Sequence, residues 1–361
     1  MKTIIAVPDF TRKAHLKKIL PWLIKRLSGD IEIIIATGLH RPPTRKELAE
    51  LRRLPKVNIS VHNHRKNHVV YFGKTKKGIP VYLNKKLKNA DSIITVGVVE
   101  PHLYAGYSGG TKAVAIGLAG EKTINATHHP RFLDHHGTTI CSISGNPFRA
   151  FIEEVSNLLP ITHSINVVND ENGNLKKIFE GRPGPCFKKA TGYSKKLYEK
   201  KVSKGYDIVI CNIPKEKGIN IYQASRAFNY VANTKKNILN KNAIILVKAD
   251  LSEGFGKGLG EKRFMETIIK MKDPRKLIRE IKKKGCLAGE HRAYMAAKAM
   301  LKARLGFISK RSHLYKNKNL PFLFFKDLND AQRFIKRYFK KPQTYYLKNA
   351  FTTILTIRNH S

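Results

Sequence analysis

Short runs of β-branched and other apolar residues alternate with amphipathic stretches from the start of this chain, and this alternation limits the fold most. Apolar runs at residues 3–7 and 32–36 are each followed by a stretch with helical spacing, at 13–27 and 44–54. Strands that return through helices to neighbouring strands form parallel sheets. The sequence therefore predicts an α/β protein whose N-terminal lobe holds a Rossmann-like, mostly parallel sheet.

The chain is long enough for two domains. A single hydrophobic core rarely organises as many as 361 residues, so we expect two α/β lobes with the active site in a cleft. A Lys-rich helix predicted to end at 204–205 precedes a new strand at 207–212, and this change of composition marks the predicted boundary. The first domain, 1–203, is predicted to hold the catalytic and cofactor-binding residues. The smaller second domain, 204–361, is predicted to close over the substrate.

The remaining predicted elements continue the same alternation in both domains. In the first domain we predict strands at 57–61, 81–83, 92–98 and 163–168, with helices at 148–158 and 188–201. In the second domain we predict strands at 244–248 and 320–325, with helices at 262–271, 273–284, 289–304 and 327–339. A last strand at 350–358 fits either domain.

Targeting and redox signals are weak in this sequence. Its longest apolar stretches, at 92–99 and 243–247, are far shorter than the ~20 residues that cross a bilayer. Residues 3–8 are too few for the apolar region of a signal peptide, so a cytoplasmic location is expected. No Cys-x-x-Cys pair occurs, and reduced, mostly buried thiols are expected at the four cysteines, Cys141, Cys186, Cys211 and Cys286.

The charge of the chain raises the possibility of a nucleic-acid partner. Lys and Arg number 69 against 26 Asp and Glu, which gives a formal net charge of +43. The basic residues are spread along the whole length, and no zinc-finger spacing, RNP-type strand or basic-flanked Gly-x-x-Gly clamp accompanies them. We therefore expect no specific nucleic-acid partner and no membrane partner, and attraction of an anionic substrate explains the charge equally well.

The most informative segment, Pro-His-Leu-Tyr-Ala-Gly-Tyr-Ser-Gly-Gly-Thr-Lys, covers residues 101–112 and follows a predicted buried strand. Gly106, Gly109 and Gly110 around Ser108 would let the backbone approach a ligand, and a helix beginning near 113 would offer N–H groups to a phosphate beside Lys112. A Gly-rich turn with a solvated lysine explains the same residues without any ligand.

Histidines occur in three separate loops. His40 lies in a predicted strand-end loop, His102 opens the Gly-rich segment, and His128 and His129 precede Pro130. Strand-end loops of open α/β sheets gather where ligands bind, so the three loops are expected to converge. Imidazole, with an ordinary pKa of about 6.5, suits both metal ligation and proton transfer.

The first predicted strand ends in Pro-Asp-Phe-Thr-Arg at residues 8–12. Arg12 could grip a carboxylate through two parallel hydrogen bonds. Asp9 or Thr11 could instead simply cap a helix that begins near Lys13, and for this segment alone the cap is the favoured interpretation.

Taken together, four segments resemble the lactate racemase family of nickel-dependent 2-hydroxyacid racemases and epimerases. They are Asp-x-Thr-Arg at 9–12, Thr-Gly-Leu-His-Arg-Pro at 37–42, Pro-His-x-x-Ala-Gly-Tyr-Ser-Gly-Gly-x-Lys at 101–112 and His-His-Pro at 128–130. The clear resemblance ends near residue 147 and continues more weakly at 222–226. It implies an isomerase that interconverts the enantiomers of a 2-hydroxyacid.

The resemblance also implies a cofactor, the nickel-pincer nucleotide, a pyridinium-3,5-bisthiocarboxylic acid mononucleotide that holds nickel. By position in the motifs, Lys112 resembles the lysine that binds this nucleotide covalently and His128 resembles the protein's nickel ligand. The nucleotide-binding surface implied by the resemblance consists of Asp9, Gly106, Ser108, Gly109 and Gly110. Accessory proteins that synthesise the cofactor are the implied partners.

The catalytic pair implied by the resemblance is His40 and His102, each removing the hydroxyl proton of one enantiomer while hydride moves to and from the cofactor. The implied substrate-binding residues are Arg12, Tyr222, Gln223 and Arg226. Two departures affect the substrate pocket: Arg226 stands where the family usually has lysine, and Thr111 stands where arginine commonly precedes the attachment lysine. Another 2-hydroxyacid or a sugar acid is therefore a plausible substrate.

Three other functions compete with this interpretation. A basic nucleic-acid-binding protein would account for the charge, and a non-catalytic binder of the nucleotide would keep the scaffold. A nicotinamide dehydrogenase would share the α/β pattern, but no Gly-x-Gly-x-x-Gly opens the first predicted helix. Intact His40 and His102 favour catalysis over simple binding.

Overall fold

The computed structural model describes residues 1–202, 204–316 and 318–357. It divides into two compact units, the first made of Met1–His128 and His135–Leu197, the second of His129–Asp134 and the chain from Tyr198 onward. Residue 203, at the predicted domain boundary, and residues 358–361, including the end of the predicted last strand, lie outside the described residues. The predicted limits 1–203 and 204–361 stay a prediction.

Unit 1 is organised around a parallel sheet with one antiparallel edge. Its strands are β1 (Lys2–Pro8), β2 (Asp30–Ala36), β3 (Asn58–Val61), β4 (Val69–Lys74), β5 (Pro80–Asn84), β6 (Ser92–Val98), β7 (Pro101–His102), β8 (Gly106–Tyr107), β9 (Ile161–Asn169) and β10 (Leu175–Gly181). The main sheet has the order β10-β9-β6-β1-β2-β3, and β10 alone among these runs antiparallel in the described residues. The pairs β4–β5 and β7–β8 form separate antiparallel hairpins.

Helices and short 3₁₀ turns connect these strands. The helices before residue 199 are α1 (Leu16–Ile24), α2 (Arg45–Leu51), α3 (Lys112–Ala115), α4 (Glu121–Thr127), α5 (Pro130–Leu133), α6 (Pro147–Ser156) and α7 (Pro183–Tyr198), with 3₁₀ turns at Lys66–His68 and Lys85–Asn89. Thr44 and Glu47 form a reciprocal capping box at the start of α2, and Asn146 caps α6. These caps fix where the two helices begin.

The core of unit 1 lies on the faces of β1, β2 and β6. Their apolar runs are buried nearly end to end, as a sheet covered on both faces requires. Ile5, Ile33 and Val96 are fully buried in this core, and each buried side chain of this size contributes about 1.5–3 kcal/mol to folding. This rigid centre holds the strand ends where the site residues lie.

Unit 2 contains a second parallel sheet. Its strands are β11 (Glu199–Val202), β12 (Tyr206–Asn212), β13 (Leu239–Lys248), β14 (Arg304–Ile308), β15 (Leu323–Phe325), β16 (Thr344–Leu347) and β17 (Ile354–Ile357). The sheet order is β15-β14-β13-β12-β16, and every pair in it is parallel. The helices are α8 (Ile221–Ala224), α9 (Arg226–Ala232), α10 (Leu259–Lys270), α11 (Pro274–Lys284), α12 (Glu290–Met300) and α13 (Leu328–Lys336), with 3₁₀ turns at Lys215–Lys217 and Ser312–Leu314.

The predicted α/β class and the mostly parallel N-terminal sheet are confirmed, whereas some local predictions are wrong. The Lys-rich helix expected to run to 201 ends at Tyr198, and Glu199–Val202 form a strand instead because they pair with β17. The strands at 69–74, 175–181 and 344–347 were not predicted. Trp22, on α1, is 41% exposed, and the guanidinium of Arg26 lies over its ring. Among the described residues, no helix has the length and apolar character needed to span a membrane.

Candidate active site

The first sheet reverses its strand order between β1 and β6. The chain passes from β1 to β2 and β3 on one side, then returns to β6 on the other side of β1. Because these strands are parallel, the segments that follow β1, β2 and β6 emerge at the same edge. Ligands of open α/β sheets bind at such a switch point. Three of the four segments singled out in the sequence therefore meet at one edge.

Asp9, directly after β1, is a buried hydrogen-bond acceptor. One carboxylate oxygen accepts the backbone N–H of Thr11 at 2.9 Å and also the Thr11 hydroxyl, and the other lies 2.8 Å from Nδ1 of His40. Burial alone would raise the pKa of Asp9, but the hydrogen bond and charge of His40, with smaller effects of Thr11 and Arg12, hold it well below its usual range. The carboxylate is therefore ionised at neutral pH.

The interpretation of Asp9 or Thr11 as a helix cap is wrong. Helix α1 begins at Leu16, and the side chain of its N-cap residue, His15, makes no capping hydrogen bond. The polar side chains of residues 9–12 instead form hydrogen bonds and an ion pair at the edge of the sheet.

His40 follows β2 in a tight turn, where its backbone N–H donates to Thr37 at 2.9 Å. Its side chain is 37% exposed and meets Asp9 through Nδ1. Since a carboxylate only accepts, the neutral ring carries its proton on Nδ1 and has its lone pair on Nε2. A carboxylate-oriented imidazole of this kind is a general base in many enzymes.

Arg12 forms an ion pair with Glu100, a residue that the sequence analysis did not single out. The guanidinium Nη1 contacts a carboxylate oxygen of Glu100, and both side chains are largely buried. Glu100 lies two residues after the end of β6 and precedes Pro101, so its place after a strand end was a signal that could have identified it. One end of the guanidinium that was predicted to grip a substrate carboxylate is thus already held by the protein.

His102 has a different hydrogen-bonding pattern from His40. It lies in the small β7–β8 hairpin, and its Nδ1 accepts the backbone N–H groups of Tyr104 at 3.2 Å and Ala105 at 3.1 Å. Because both partners are donors, Nδ1 presents its lone pair and the neutral ring carries its proton on Nε2.

The Gly-rich loop is closed tightly against the protein. Gly109 and Gly110 have φ values of 84° and 56°, a region that side-chain-bearing residues rarely adopt. A Cβ on Gly109 would collide with Val99, and one on Gly110 would lie 2.9 Å from the ring of Phe187. The fold therefore needs both glycines for its own packing. The predicted cradle for a nucleotide, which also includes Gly106 with φ 71°, stays a prediction.

Ser108 and Lys112 also have structural partners in this loop. The Ser108 hydroxyl donates to the Val98 carbonyl at 2.7 Å and accepts the N–H of Glu100 at 3.2 Å, so it ties the loop to the end of β6. Lys112 opens α3, which is a single turn, and its backbone N–H approaches the carbonyl of Gly109 at 3.4 Å. A helix was expected to begin near 113, and this one-turn helix begins at Lys112, while a contact of its N–H groups with a phosphate stays a prediction.

His128 ends α4 with a fixed ring orientation. Its Nδ1 donates to the carbonyl of Ile124 at 2.8 Å and lies 3.1 Å from the Thr127 hydroxyl. The lone pair of the neutral ring is therefore on Nε2, the arrangement found in metal-binding histidines whose other nitrogen donates to a carbonyl. Among the described residues there is no group of three or more His, Cys, Asp and Glu arranged to hold a metal.

Two buried aromatic residues connect His128 with His102. Tyr104 meets both imidazoles edge-on, with ring centroids 5.8 Å from His102 and 5.5 Å from His128. Phe148 contacts the same pair at 6.3 and 5.4 Å. The structure therefore brings His102 and His128 around one aromatic pair, which the sequence analysis did not foresee.

The candidate substrate residues of unit 2 lie on α8 and α9. Arg226 is buried, with its guanidinium 5.0 Å from the ring centre of Phe351 and Nη1 3.4 Å from the Gln223 side-chain oxygen. The ring of Tyr222 lies 4.6 Å from the guanidinium of Arg292. The ammonium of Lys217, also buried, lies 5.0 Å from the same Phe351 ring, so a second cation joins this group.

Comparison with known proteins identifies relatives that align with most of this chain. Residues 1–140 match the family model described as the lactate racemase N-terminal domain. The chain is 28% identical over 284 residues to a lactate racemase of Lactiplantibacillus plantarum, which covers 76% of this chain and 65% of that protein. It is 24% identical over 343 residues to a lactate racemase of Thermoanaerobacterium thermosaccharolyticum, covering 91% of this chain and 78% of the relative. The chain thus spans slightly less than two thirds of the first relative.

Two solved structures share the fold. The lactate racemase apoprotein of T. thermosaccharolyticum superimposes with a TM-score of 0.86 at 21% identity, covering 98% of this chain and 86% of that one. A protein from Thermotoga maritima superimposes with a TM-score of 0.76 at 16% identity, covering 99% and 94%. At these identities the likeness concerns the fold alone.

Proposed function

We propose that this chain is a member of the lactate racemase family, whose N-terminal domain model matches residues 1–140, and that it racemises or epimerises a 2-hydroxyacid such as lactate. The observation that carries the proposal is the Asp9–His40 pair, 2.8 Å between carboxylate oxygen and Nδ1 at the switch point of the first sheet. A base oriented in this way can take a hydroxyl proton and return it, the acid–base half of racemisation.

The proposed cofactor is the nickel-pincer nucleotide, and the donor chemistry of two residues fits it. His128 would hold the nickel, since its Nδ1 donates to Ile124 and the lone pair of the neutral ring is therefore on Nε2, the nitrogen that would meet a metal. Lys112, at the end of the Gly-rich loop, would hold the nucleotide covalently. When bound, the nucleotide would supply a reversible acceptor for the hydride of the substrate's α carbon.

His40 and His102 are the groups proposed to serve the substrate's hydroxyl oxygen. Loss of the hydroxyl proton, and of the α-hydrogen as hydride, would leave a flat 2-keto acid. Return of hydride to the opposite face of its carbonyl carbon, with a proton to the oxygen, would give the other enantiomer. Tyr104 and Phe148 restrict the ring of His102, and Asp9 restricts that of His40. Each imidazole is thus oriented before substrate arrives, which lowers the entropic cost of reaction.

The proposed carboxylate-binding groups are Arg12 in unit 1 and Arg226, with Tyr222 and Gln223, in unit 2. Glu100 fixes one end of Arg12, whose planar guanidinium carries several N–H donors and matches the geometry of a carboxylate. Gln223 and Phe351 orient Arg226 in the same way. The proposed partners are the substrate and the proteins that synthesise the cofactor.

Intact-protein mass spectrometry with nickel analysis tests the cofactor assignment. The protein is produced together with the cofactor-synthesis proteins of a known racemase, and Lys112→Arg serves as a matched variant that keeps the charge but cannot form the same thioamide. We expect a nickel-bearing adduct on the wild type and none on Lys112→Arg. A wild type without adduct or nickel, in cells that load a known racemase, would contradict the proposal.

A further inference from the structure

The chain passes from unit 1 to unit 2 directly after His128, the residue proposed to hold nickel. Residues His129–Asp134 (the 129–134 segment) belong to unit 2, and the chain returns to unit 1 at His135. The ring of His128 is oriented within unit 1, because its Nδ1 donates to the carbonyl of Ile124 on α4 at 2.8 Å. The backbone that follows is part of unit 2, so contacts of the 129–134 segment help to determine where His128 lies.

The 129–134 segment is a single hydrogen-bonded turn. Pro130 begins α5, and the side chain of His129 caps this helix by accepting a backbone N–H of the turn at 3.2 Å. The N–H groups of Phe132 and Asp134 donate to the carbonyls of His129 and Pro130 at 2.9 and 2.8 Å. Because the turn is closed by its own hydrogen bonds, a displacement of Asp134 is passed on to His129 and to the residue before it.

Asp134, at the end of this turn, fastens the segment to the helices α11 and α12. One carboxylate oxygen accepts the hydroxyl of Tyr294 at 2.5 Å and lies 3.2 Å from the ammonium of Lys282. The other accepts the ammonium of Lys298 at 2.7 Å. Tyr294 is fully buried on α12, so its hydroxyl has a fixed position. A carboxylate held by this hydroxyl and by ammonium groups of two helices is therefore itself fixed.

A second contact holds the other end of the segment. The ring of His129 lies against Gly285, which ends α11 with φ 78°, and a Cβ at this glycine would lie 3.0 Å from the ring. Between the two ends, Phe132 and Leu133 are buried. The segment that continues from His128 is thus held along its whole length by unit 2.

We infer that Asp134 is a positioning residue for the nickel ligand: by fastening the 129–134 segment to α11 and α12, it holds His128 where a bond to nickel can form. The inference rests on the proposed function. Metal–nitrogen distances vary by only about 0.2 Å, and groups that orient a ligand without touching the metal typically contribute about 10–100-fold to metal affinity. By linkage, if the fastened segment strengthens nickel binding, bound nickel stabilises the fastened segment by the same factor.

Nickel release from loaded protein tests the inference. Wild type and variants are produced with the cofactor-synthesis proteins and dialysed against a chelator, while nickel content and the mass of the Lys112 adduct are followed. We expect nickel to leave Asp134→Asn at least about tenfold faster than wild type, with the adduct retained. Tyr294→Phe loses one hydrogen bond and is expected to release nickel about threefold faster. Asp330→Asn is the matched control, because this carboxylate has similar exposure and also lies near two cations of unit 2.

Hydrogen exchange of the backbone amides shows whether the segment itself responds. In unloaded Asp134→Asn we expect the amides of the 129–134 segment to exchange about tenfold faster than in unloaded wild type, because a charge-assisted anchor is lost. Loading the wild type with the cofactor is expected to slow the same amides. Slower exchange on loading is a result that a contact with a purely structural role would not give.

Each outcome of these experiments decides a different claim. If Asp134→Asn keeps its nickel as long as loaded wild type, or if loading leaves the exchange of the 129–134 amides unchanged, Asp134 does not position the ligand. If Asp134→Asn does not fold, Tyr294→Phe, which removes only a hydroxyl, decides by the same two measurements. If loaded wild type holds no nickel, the cofactor proposal itself fails and the inference falls with it.

Discussion

Both main sheets consist largely of parallel strands and reverse their strand order once, but they differ in the chemistry at this switch point. In unit 1, titratable groups form hydrogen-bonded pairs, with Asp9 on His40 and Glu100 on Arg12. In unit 2, the segment after β16 lies beside the end of β12, where the N–H of Ala350 donates to the carbonyl of Asn212 at 3.0 Å. The buried cations Lys217 and Arg226 lie over the ring of Phe351 in this segment. One edge suits proton transfer and the other suits anion binding, so topology supplies the place and the side chains supply the function.

The largest expected effect comes from changing the acceptor on His40. In Asp9→Asn an amide replaces the carboxylate, and its N–H₂ group can donate to Nδ1, which moves the ring proton to Nε2 and removes the base. We expect kcat for lactate racemisation to fall by about 10³–10⁴-fold, with KM nearly unchanged. Chiral chromatography of the product measures this. Asp30→Asn, at the exposed start of β2, is the control, and an Asp9→Asn enzyme within tenfold of wild type would show that the Asp9–His40 pair does not act as the proposed base.

A second histidine of unit 1 shows what burial does without a carboxylate. His62 is 4% exposed, donates from Nε2 to Ala119 and accepts the Asn84 amide at 3.1 Å. Burial lowers the pKa of His62 to about 4, against the opposing effect of the Ala119 carbonyl. In the unfolded chain the His62 ring binds a proton below about pH 6.5, whereas in the folded chain it stays neutral down to about pH 4. The neutral, buried ring therefore contributes fully to stability above pH 6.5, and this contribution is lost as the pH falls toward 4.

This loss amounts to about 3 kcal/mol in the free energy of unfolding between pH 6.5 and 4, at 1.36 kcal/mol for each unit of pKa shift. Urea denaturation across this range, compared with His62→Gln, measures it. The variant is expected to show a flatter pH dependence. Identical pH dependence of the two proteins would show that His62 is not the neutral, buried ring described here.

The proposed role of unit 2 in binding the substrate's carboxylate can be tested at Arg226. Replacement by glutamine removes a charged hydrogen-bond donor worth about 1.5–3 kcal/mol, so KM for lactate is expected to rise about 10–100-fold with a smaller change in kcat. Arg226→Lys keeps the charge but loses the planar guanidinium, and its KM is expected to lie between those of the wild type and Arg226→Gln. Arg304→Gln is a matched control, since that guanidinium also stacks on aromatic rings but belongs to the start of β14. An unchanged KM in Arg226→Gln would mean that Arg226 in unit 2 does not bind the substrate's carboxylate.

The smallest expected effect separates charge from positioning in the Glu100–Arg12 pair. Glu100→Gln keeps an acceptor for the guanidinium but removes the competing negative charge, so KM for lactate is expected to fall about fivefold, equivalent to roughly 1 kcal/mol. Glu100→Ala removes the positioning contact as well and is expected to lose this benefit. Steady-state kinetics measure both variants, and a higher KM in Glu100→Gln would mean that Arg12 does not face the substrate carboxylate.

Periodicity and strand-end position predicted the parts of the fold that depend on local sequence. The buried runs of β1, β2 and β6 are continuous in the sequence, and the loops after them were identified as carriers of chemistry. The contact between Asp9 and His40 joins residues 31 apart, which local patterns do not relate, so Asp9 was assigned to a helix cap. Its true partner depends on strand order.

Long-range pairing explains the other differences. Glu199–Val202 read as the end of a lysine-rich helix, but they pair with Ile354–Ile357, more than 150 positions later. The glycines of the 101–112 loop suggested room for a ligand, and the structure fills the space beside Gly109 and Gly110 with Val99 and Phe187. A sequence shows that a position requires glycine without showing what lies against it.

The most direct test of the central claim follows the enantiomers of lactate with purified protein loaded with the nickel-pincer nucleotide. D-lactate alone and L-lactate alone are each incubated with wild type, with Asp9→Asn and with the unloaded Lys112→Arg protein, and the enantiomers are separated by chiral chromatography. We expect wild type to bring both samples to an equal mixture of D-lactate and L-lactate, while the two variants leave each sample unchanged on the same timescale. Loaded wild type that leaves lactate and a panel of other 2-hydroxyacids optically pure would contradict the claim.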